Sequence, residues 1–237
     1  MKLTVNPKYK YLEPFLQELP AVFDRTGEVL YEERNVLRRY HAQGTCLVVK
    51  RFKRPHLVNR FVYAWFRESK ARRSYEYGME LLRRGVCTPE PVAYIENRCC
   101  GLTDSYYISL DAGLPRVVRE FWTTPEIGER AFILDAFARF TADMHKKGVL
   151  HLDYSAGNIL FDVKDGLPVF SLVDINRVSL GKPVSEEDGY RNFRRLWFPH
   201  DTYVLLARAY AAACGYDEAH AVERICYYKD EFMKHRK

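Results

Sequence analysis

A polar loop followed by a hairpin pattern constrains the fold of this chain more than any other feature. The loop carries His151, Asp153 and Asn158 in the order H-x-D-x4-N, between a long helical pattern and an apolar strand. A second apolar run follows after Asp165-Gly166, a pair that favours the tight turn of a β-hairpin. Such a hairpin returns Asp174, at the end of the second run, to the end of the strands where Asp153 and Asn158 lie. We therefore predict that these side chains form one cluster.

The residue types of this cluster suit phosphoryl transfer. The amide oxygen of Asn158 and the carboxylate of Asp174 are oxygen ligands of the kind that Mg²⁺ accepts. The second carboxylate, Asp153, can take the proton of an attacking hydroxyl, while His151 braces the loop. Asp and Asn also occur in polar loops simply as turn formers, so no single residue decides the matter. The ordered set with its hairpin favours a phosphotransferase.

The rest of the chain reads as two parts. In the first part, two strands are predicted around a turn at 41–44, the first with the apolar residues 29–31 and 36–37 and the second over 45–50. Two further strands are predicted at 92–96 and 102–109, and a helix over 62–84, ending at the cap residue Gly85. The second part has a predicted helix over 126–147, strands at 158–161 and 169–173, and helical sequence after Pro199. We predict an α+β fold with a strand-rich N-lobe, residues 1–110, and a mainly helical C-lobe, residues 111–237.

Composition and charge limit the function classes. The chain of 237 residues has 37 Lys and Arg against 31 Asp and Glu, a net charge of +6. Its opening residues lack the pattern of a secretory signal, and no segment reaches the roughly 18 apolar residues of a membrane span. We expect a cytoplasmic protein. Clustered arginines point to an anionic partner, and no nucleic-acid reading motif accompanies them, so nucleic acid is not expected.

The loop and the hairpin end resemble the protein-kinase-like superfamily, whose catalytic loop reads H-R-D-x4-N and whose metal-binding loop reads D-F-G. Here the corresponding residues are His151-Leu152-Asp153 and Asp174-Ile175-Asn176. Leu152 replaces the Arg that contacts a phosphorylated activation loop in many protein kinases, and Asn176 replaces the Gly. The short segment that follows has no Ala-Pro-Glu motif. The resemblance therefore implies a bilobal kinase-like fold with a small-molecule or lipid-saccharide acceptor.

The resemblance also implies nucleotide contacts in the N-lobe. Lys50, at the end of an apolar strand, resembles the lysine that neutralises the α- and β-phosphates of ATP. Its ion-pair partner would be Glu76 or Glu80, and we favour Glu76 because it lies further from the helix end. A Gly-rich phosphate loop is missing upstream of Lys50. Its work would fall to Arg34-Asn35 with the turn at Gly44, or to residues 24–27.

Three stretches resemble the lipopolysaccharide core (Kdo/heptose) kinase family more specifically. They are residues 47–52, residues 82–96 with their G-V-C-T-P-E-P element, and the His151 loop. This resemblance implies ATP and Mg²⁺ as cofactors and a lipid A-core saccharide, or another anionic sugar, as acceptor. It also implies peripheral contact with the inner face of the cytoplasmic membrane. The basic and aromatic run 191–198 is the candidate contact for acceptor or membrane, and equally reads as an amphipathic helix facing the core.

Two other functions remain open at this stage. The same site could phosphorylate a small hydroxylated molecule such as an aminoglycoside or choline, although a net charge of +6 disfavours such cationic acceptors. Alternatively, the missing Gly-rich loop and the altered D-F-G would suit a pseudokinase that serves as a binding scaffold. A scaffold, however, has no need for Lys50, Asp153, Asn158 and Asp174 together.

Overall fold

The structure, a computed structural model, describes residues 1–33, 35–54, 68–98, 102–123 and 129–234. The chain groups into two compact units. The first comprises Met1–Arg83 and Thr88–Ala112, and the second comprises Arg84–Cys87 and Gly113–Lys237. The first unit contains the larger sheet and the second contains most of the helices, which confirms the α+β fold class.

The first unit is built on a six-stranded antiparallel sheet. The strands are β1 (Lys2–Val5), β2 (Glu28–Glu32), β3 (Val36–Ala42), β4 (Thr45–Phe52), β5 (Pro91–Arg98) and β6 (Leu102–Leu110), in the spatial order β1-β5-β6-β4-β3-β2. Gln43 and Gly44 join β3 to β4 with φ angles of 48° and 76°, which suits a tight two-residue hairpin turn. The predicted strands at 45–50, 92–96 and 102–109 are confirmed as β4, β5 and β6. The predicted strand that carries the apolar residues 29–31 and 36–37 is in fact two strands, β2 and β3, and β1 is an addition.

A helix packs on each face of this sheet. Helix α1 (Glu13–Val22) buries its apolar side chains in the same cluster as Leu47 and Val49 of β4. Helix α2 (Lys70–Arg83) packs through Ala71 and Tyr75 against Phe52 and Tyr94. Because side chains alternate along a strand, residues of β4 that flank Val49 point to the α2 face. The sequence analysis predicted α2 and did not predict α1.

The ends of α2 follow common capping chemistry. Ser69 Oγ accepts a hydrogen bond from the Arg72 N–H at 3.0 Å, so Ser69 is the N-cap and the helix begins at Lys70. Gly85 follows the helix with a φ of 69°, the left-handed conformation expected of a cap residue. The predicted helix began at residue 62, and residues 62–67 lie outside the described ranges.

The described residues of the second unit form five α-helices, five short strands and a 3-10 helix at Ala156–Asn158. The helices are α3 (Glu120–Thr123), α4 (Arg130–Lys146), α5 (Glu186–Asn192), α6 (His200–Cys214) and α7 (Glu218–Lys234). The strands are β7 (Arg116–Val117), β8 (Val149–His151), β9 (Ile159–Lys164), β10 (Leu167–Leu172) and β11 (Val178–Leu180). Within the described ranges, no helix combines the length and the apolar character that a membrane crossing requires.

The predicted hairpin is confirmed. Its first strand begins at Ile159, one residue later than predicted, and its second strand begins at Leu167, two residues earlier than predicted. Strands β9 and β10 pair antiparallel, with Lys164 opposite Leu167, and β7 pairs with the other edge of β9. Asp165 and Gly166 form the turn with φ angles of 52° and 76°. This is the left-handed pair that makes Asp-Gly a strong hairpin signal. The hairpin thereby brings the residues before β9 and after β10 to one end.

Helix α4 delivers the chain to the polar loop. It begins at Arg130, and the first residues of the prediction, 126–128, lie outside the described ranges. It ends before Gly148, whose φ is 69° and whose missing Cβ would overlap the carbonyl oxygen of Gly181. Gly148 therefore permits both the left-handed backbone and the close approach of the chain that leads away from β11. Strand β8, which pairs with β11, follows immediately.

Candidate active site

His151 is the internal brace of the polar loop. It is fully buried at the end of β8. Its Nε2 lies 3.2 Å from the carbonyl oxygen of Val173, and its Nδ1 accepts a hydrogen bond from the Asp153 N–H at 3.2 Å. Burial lowers the pKa of His151, so the ring is neutral and donates through Nε2 only. The ring thereby ties the backbone of Asp153 to the residue that precedes Asp174.

Asn158 completes the same hydrogen-bonded cluster. Its side-chain Nδ2 donates to the carbonyl oxygen of Asp153 at 2.9 Å, and its own carbonyl oxygen accepts from the Val173 N–H at 2.9 Å. The loop and the hairpin end are therefore joined through His151, Asp153, Asn158 and Val173. The bond from Nδ2 engages the nitrogen of the amide and leaves Oδ1 as its possible metal ligand.

Asp174 is held in an unusual conformation beside this cluster. Its φ is 55°, in the left-handed region that non-glycine residues seldom adopt. Its Oδ1 accepts a hydrogen bond from Nδ2 of Asn176, whose side chain is buried. The sequence analysis treated Asn176 only as a departure from D-F-G. The structure gives it a role, because its amide fixes the orientation of the Asp174 carboxylate.

The carboxylate of Asp153 is flanked by two arginines. A guanidinium nitrogen of Arg195 forms a close ion pair with Oδ1, and Nη1 of Arg177 lies 4.0 Å from Oδ2. Sequence reasoning did not connect either arginine to Asp153. Arg177 follows the altered D-F-G directly, and Arg195 lies in the run 191–198, so their contact depends on tertiary structure.

A buried polar network supports the loop from behind. Asn192 Nδ2 donates to the His151 carbonyl oxygen at 2.9 Å, and Asn192 Oδ1 accepts from His145 Nε2 at 3.1 Å. His145 Nδ1 in turn accepts from the Tyr210 hydroxyl at 2.8 Å. Burial lowers the pKa of His145 to about 4, so the ring is neutral. Sequence reasoning did not identify the partners of His145.

The run 191–198 is largely part of the core. Asn192, Phe193, Leu196 and Phe198 are buried. Arg191 is exposed, lies 3.6 Å from the Asp188 carboxylate and donates to the Tyr228 hydroxyl at 3.1 Å. Buried apolar residues alternate with charged ones, as in the core-facing interpretation of this run. The run is not a helix, however, because α5 ends at Asn192 and residues 193–198 are irregular. Contact with an acceptor or a membrane stays a prediction, for which the partly exposed arginines are available.

In the first unit, Lys50 lies on the α2 face of the sheet. It pairs across β4 and β6 with Tyr107, and its Nζ is 5.2 Å from the centre of the Phe52 ring. On α2, Glu76 accepts from Arg72 Nε at 2.7 Å and Glu80 accepts from Arg83 at 2.6 Å. The pairing of Lys50 with Glu76, or with Glu80, stays a prediction.

The candidates for a substitute phosphate loop differ in position. The carbonyl oxygen of Thr26 accepts from Arg38 at 2.9 Å and from the Tyr40 hydroxyl at 3.0 Å. Both donors lie on the α1 face of the sheet, so the 24–27 stretch is anchored on the side opposite Lys50. Asn35 and the turn at Gly44 therefore remain as candidates for the substitute phosphate loop. Arg34, named with them in the sequence analysis, lies outside the described ranges.

The donor set at the hairpin end fits Mg²⁺. Within the described ranges, no group of three or more His, Cys, Asp or Glu side chains is arranged to hold a metal ion. Asn158 and Asp174 nevertheless offer one amide oxygen and one carboxylate at adjoining backbone positions. Mg²⁺ is commonly held by one or two protein oxygens, with water and substrate phosphates as the other ligands. These two residues would therefore hold the ion against a nucleotide.

The fold is that of the protein-kinase-like phosphotransferases. It is similar, over 100% of both chains, to "WaaP in complex with acyl carrier protein", with a TM-score of 0.66 and 19% identity. It is also similar to the AMP-PNP-bound kinase domain of maize SIRK1 (sucrose-induced receptor kinase 1), with a TM-score of 0.52 and 13% identity, over 96% of this chain and 86% of that one. A third similar structure is assigned as an aminoglycoside phosphotransferase from Ralstonia eutropha. The match has a TM-score of 0.56 and 13% identity, over 86% of this chain and 80% of that one.

Within this fold, the sequence matches one family of kinases. The lipopolysaccharide kinase (Kdo/WaaP) family matches residues 24–209, which is more than half of the sequence. The chain belongs to this family, as the resemblance in the loop and the G-V-C-T-P-E-P element indicated, and it is a phosphotransferase of the kinase type. No protein of curated function matches the sequence significantly.

Proposed function

We propose that this protein transfers the γ-phosphoryl group of ATP to a sugar hydroxyl of the lipopolysaccharide inner core, on Kdo or heptose. The observation that carries the proposal is the hydrogen-bonded cluster of His151, Asp153, Asn158 and Val173, beside the fixed carboxylate of Asp174. Phosphoryl transfer depends mainly on positioning and charge stabilisation, and this cluster holds its polar groups in fixed places. Family membership supports the lipopolysaccharide acceptor.

In this proposal each residue has one role. Asp153 orients the sugar hydroxyl and accepts its proton while the oxygen bonds to the γ-phosphorus and the bond to ADP breaks. Asn158 and Asp174 hold Mg²⁺, which neutralises charge on the phosphates when it is bound. His151 keeps the backbone of Asp153 in place. The same residue types perform these tasks in kinases generally.

The first unit would supply the nucleotide contacts. We propose that Lys50 neutralises the α- and β-phosphates of ATP and that Glu76 orients Lys50. The N-lobe, residues 1–110, would thus be the nucleotide-binding part and the C-lobe, residues 111–237, the catalytic part. A membrane-embedded glycolipid acceptor would require peripheral contact with the cytoplasmic face of the inner membrane, for which the net charge of +6 is suitable.

The structure offers a reason to prefer this acceptor over a cationic one. The ion pairs of Asp153 with Arg195 and Arg177 place positive charge where an aminoglycoside or choline would have to bind. Like charges at such a distance repel, so a cationic acceptor is disfavoured. A binding scaffold without catalysis would have no use for the ordered carboxylates, and kinase-family membership also argues against it.

The test is a transfer reaction with defined acceptors. Purified protein is incubated with Mg-ATP and either Kdo-lipid A or its heptosylated form, and the products are analysed by mass spectrometry with fragmentation. We expect the gain of one phosphate, on Kdo or heptose. Absence of phosphate on both acceptors would contradict the proposal, provided that the protein is folded and binds ATP.

A further inference from the structure

Two guanidinium groups converge on the carboxylate of Asp153. Arg195 contacts Oδ1, and Arg177 lies 4.0 Å from Oδ2, with side chains that are 28% and 55% exposed. A guanidinium has five N–H donors, so the pair has ten, far more than one carboxylate can accept. Donors are therefore available on the exposed side of both groups. The pair can bind a second anion next to Asp153.

Arg195 is held in place by the backbone that carries it. Its main chain forms a parallel bridge with Ser155, in the same loop as Asp153. The Tyr203 hydroxyl donates to the Phe193 carbonyl oxygen at 3.1 Å and accepts from the Trp197 N–H at 3.2 Å, which fixes the segment on both sides of Arg195. An arginine that served only solubility would need no such support. The position is preorganised in the way that binding sites require.

The side chain of Arg195 is also oriented from outside the loop. Its guanidinium carbon lies 5.7 Å from the centre of the Phe232 ring of α7, within cation–π range. The next residue is fixed as well, because the Trp122 indole N–H donates to the Leu196 carbonyl oxygen. Since arginine forks match carboxylates and phosphates geometrically, a guanidinium held this way suits recognition of such a group.

We propose that Arg195 and Arg177 form an acceptor subsite for an anionic group, either a sugar carboxylate or a sugar phosphate, close to the hydroxyl that Asp153 deprotonates. The inference rests on the proposed function and adds the residues that select the acceptor. Arg195, the more buried and better supported of the two, is the main contact. Arg177 is the more exposed contact on the other side of the carboxylate.

The experiment compares three acceptors that share one saccharide and lipid and differ in their anionic groups. They are Kdo-lipid A, the same molecule with its Kdo carboxylates converted to methyl esters, and the same molecule with its phosphates removed. The enzymes are the wild type, Arg195→Gln, Arg177→Gln and the control Arg208→Gln. Arg208 lies on α6 and forms an ion pair with Glu218 of α7 at 3.0 Å. Thermal unfolding checks that each variant folds. The measurement is kcat/KM for each acceptor.

The informative quantity is the ratio of kcat/KM between acceptors, because general damage to Asp153 cancels in it. We expect the wild type and Arg208→Gln to lose about 10-fold to 100-fold on the acceptor that lacks the recognised anion, as for a charged hydrogen bond. Arg195→Gln abolishes that discrimination and Arg177→Gln weakens it. Loss with the ester identifies a carboxylate, and loss with the dephosphorylated form a phosphate. Variants that keep the wild-type ratio overturn the inference.

Failure of the proposed function is recognisable separately. If the wild type phosphorylates none of the three acceptors and does not phosphorylate the heptosylated form either, the proposed function fails, and equilibrium binding decides the inference. The dissociation constants of the wild type and Arg177→Gln for the three acceptors are then measured by calorimetry without ATP. Weaker binding of the charged acceptor by the variant supports the subsite, and equal or absent binding by both proteins refutes it.

Discussion

At the scale of single residues, the support for the polar loop depends on two neutral histidines. His151 binds within the loop, and His145 supports it through Asn192. Asn192 donates to the His151 carbonyl and must accept from His145, so the His145 proton is on Nε2 and Nδ1 receives the Tyr210 hydroxyl. Protonation of either histidine would break a buried acceptor contact. The loop is therefore expected to be sensitive to acid.

This arrangement predicts how stability depends on pH. The pKa of His145 is about 4 in the folded protein, against about 6.5 in an unfolded chain, so the unfolded state binds more protons between these values. The stability contribution is complete above pH ~6.5 and declines as the pH falls towards ~4. From pH 7 to pH 5 the free energy of unfolding should drop by about 2 kcal/mol through His145 alone.

Urea unfolding at the two pH values measures this effect. His145→Gln should show a smaller decrease than the wild type, and His41→Gln, at an exposed position on β3, should show the same decrease as the wild type. His151, whose pKa is also lowered by burial, contributes in the same direction in all three proteins. An unchanged decrease in His145→Gln would contradict the assigned neutral state.

Sequence reasoning identified the candidate site residues that follow a recognisable local spacing. It missed the residues that contact the site only through the tertiary structure. Asp153, Asn158 and Asp174 follow a local spacing, and the contacts of Asn158 and Val173 link their positions. Asn192 and Arg195 lie about 40 residues from their partners, and no spacing rule connects them. Asn176 is close in sequence, but only its buried side-chain contact reveals its role.

At the scale of elements, prediction followed the strength of local signals. The β9–β10 hairpin has Asp165 and Gly166 in left-handed conformations, which few other residue pairs adopt at low cost. Helix α1 also has a clear apolar pattern, since Leu16 and Leu19 and the preceding Leu12 are fully buried at spacings of four and three residues. Pro20, inside the helix, works against that signal. Packing against the sheet outweighs the local cost of the proline.

The connection from α4 to β8 offers a test at this scale. Gly148→Ala should destabilise the protein by about 3 kcal/mol or more, because a Cβ there would meet the backbone oxygen of Gly181, which cannot move aside easily. Gly166→Ala has a similar φ of 76° with open space around it, so only the backbone strain remains, about 1 kcal/mol. Chemical denaturation of both variants gives the comparison. Equal losses would show that the close approach at Gly148 does not matter.

At the scale of the whole molecule, the fold class could be predicted because strand-rich and helix-rich sequence occupy separate parts of the chain. The excess of positive charge is the least specific signal, since composition gives its size but not its position. The structure resolves part of it into contacts, with Arg195 and Arg177 at Asp153 and Arg191 at Asp188. The net charge alone indicates only a general attraction to anions. The positions of Arg195 and Arg177 support the proposal that these two arginines select an anionic acceptor.

The central claim is that Asp153 is the catalytic base of a phosphotransferase. The most direct test is the rate of phosphate transfer from Mg-ATP to Kdo-lipid A or its heptosylated form by the wild type, Asp153→Asn and Asp162→Asn. Asp162 lies on β9 and contacts the neighbouring Val163 N–H at 2.9 Å, so it is a matched carboxylate outside the cluster. We expect Asp153→Asn to lose about 10²-fold or more in kcat, and Asp162→Asn to stay near the wild-type rate. Equal rates for wild type and Asp153→Asn would contradict the account.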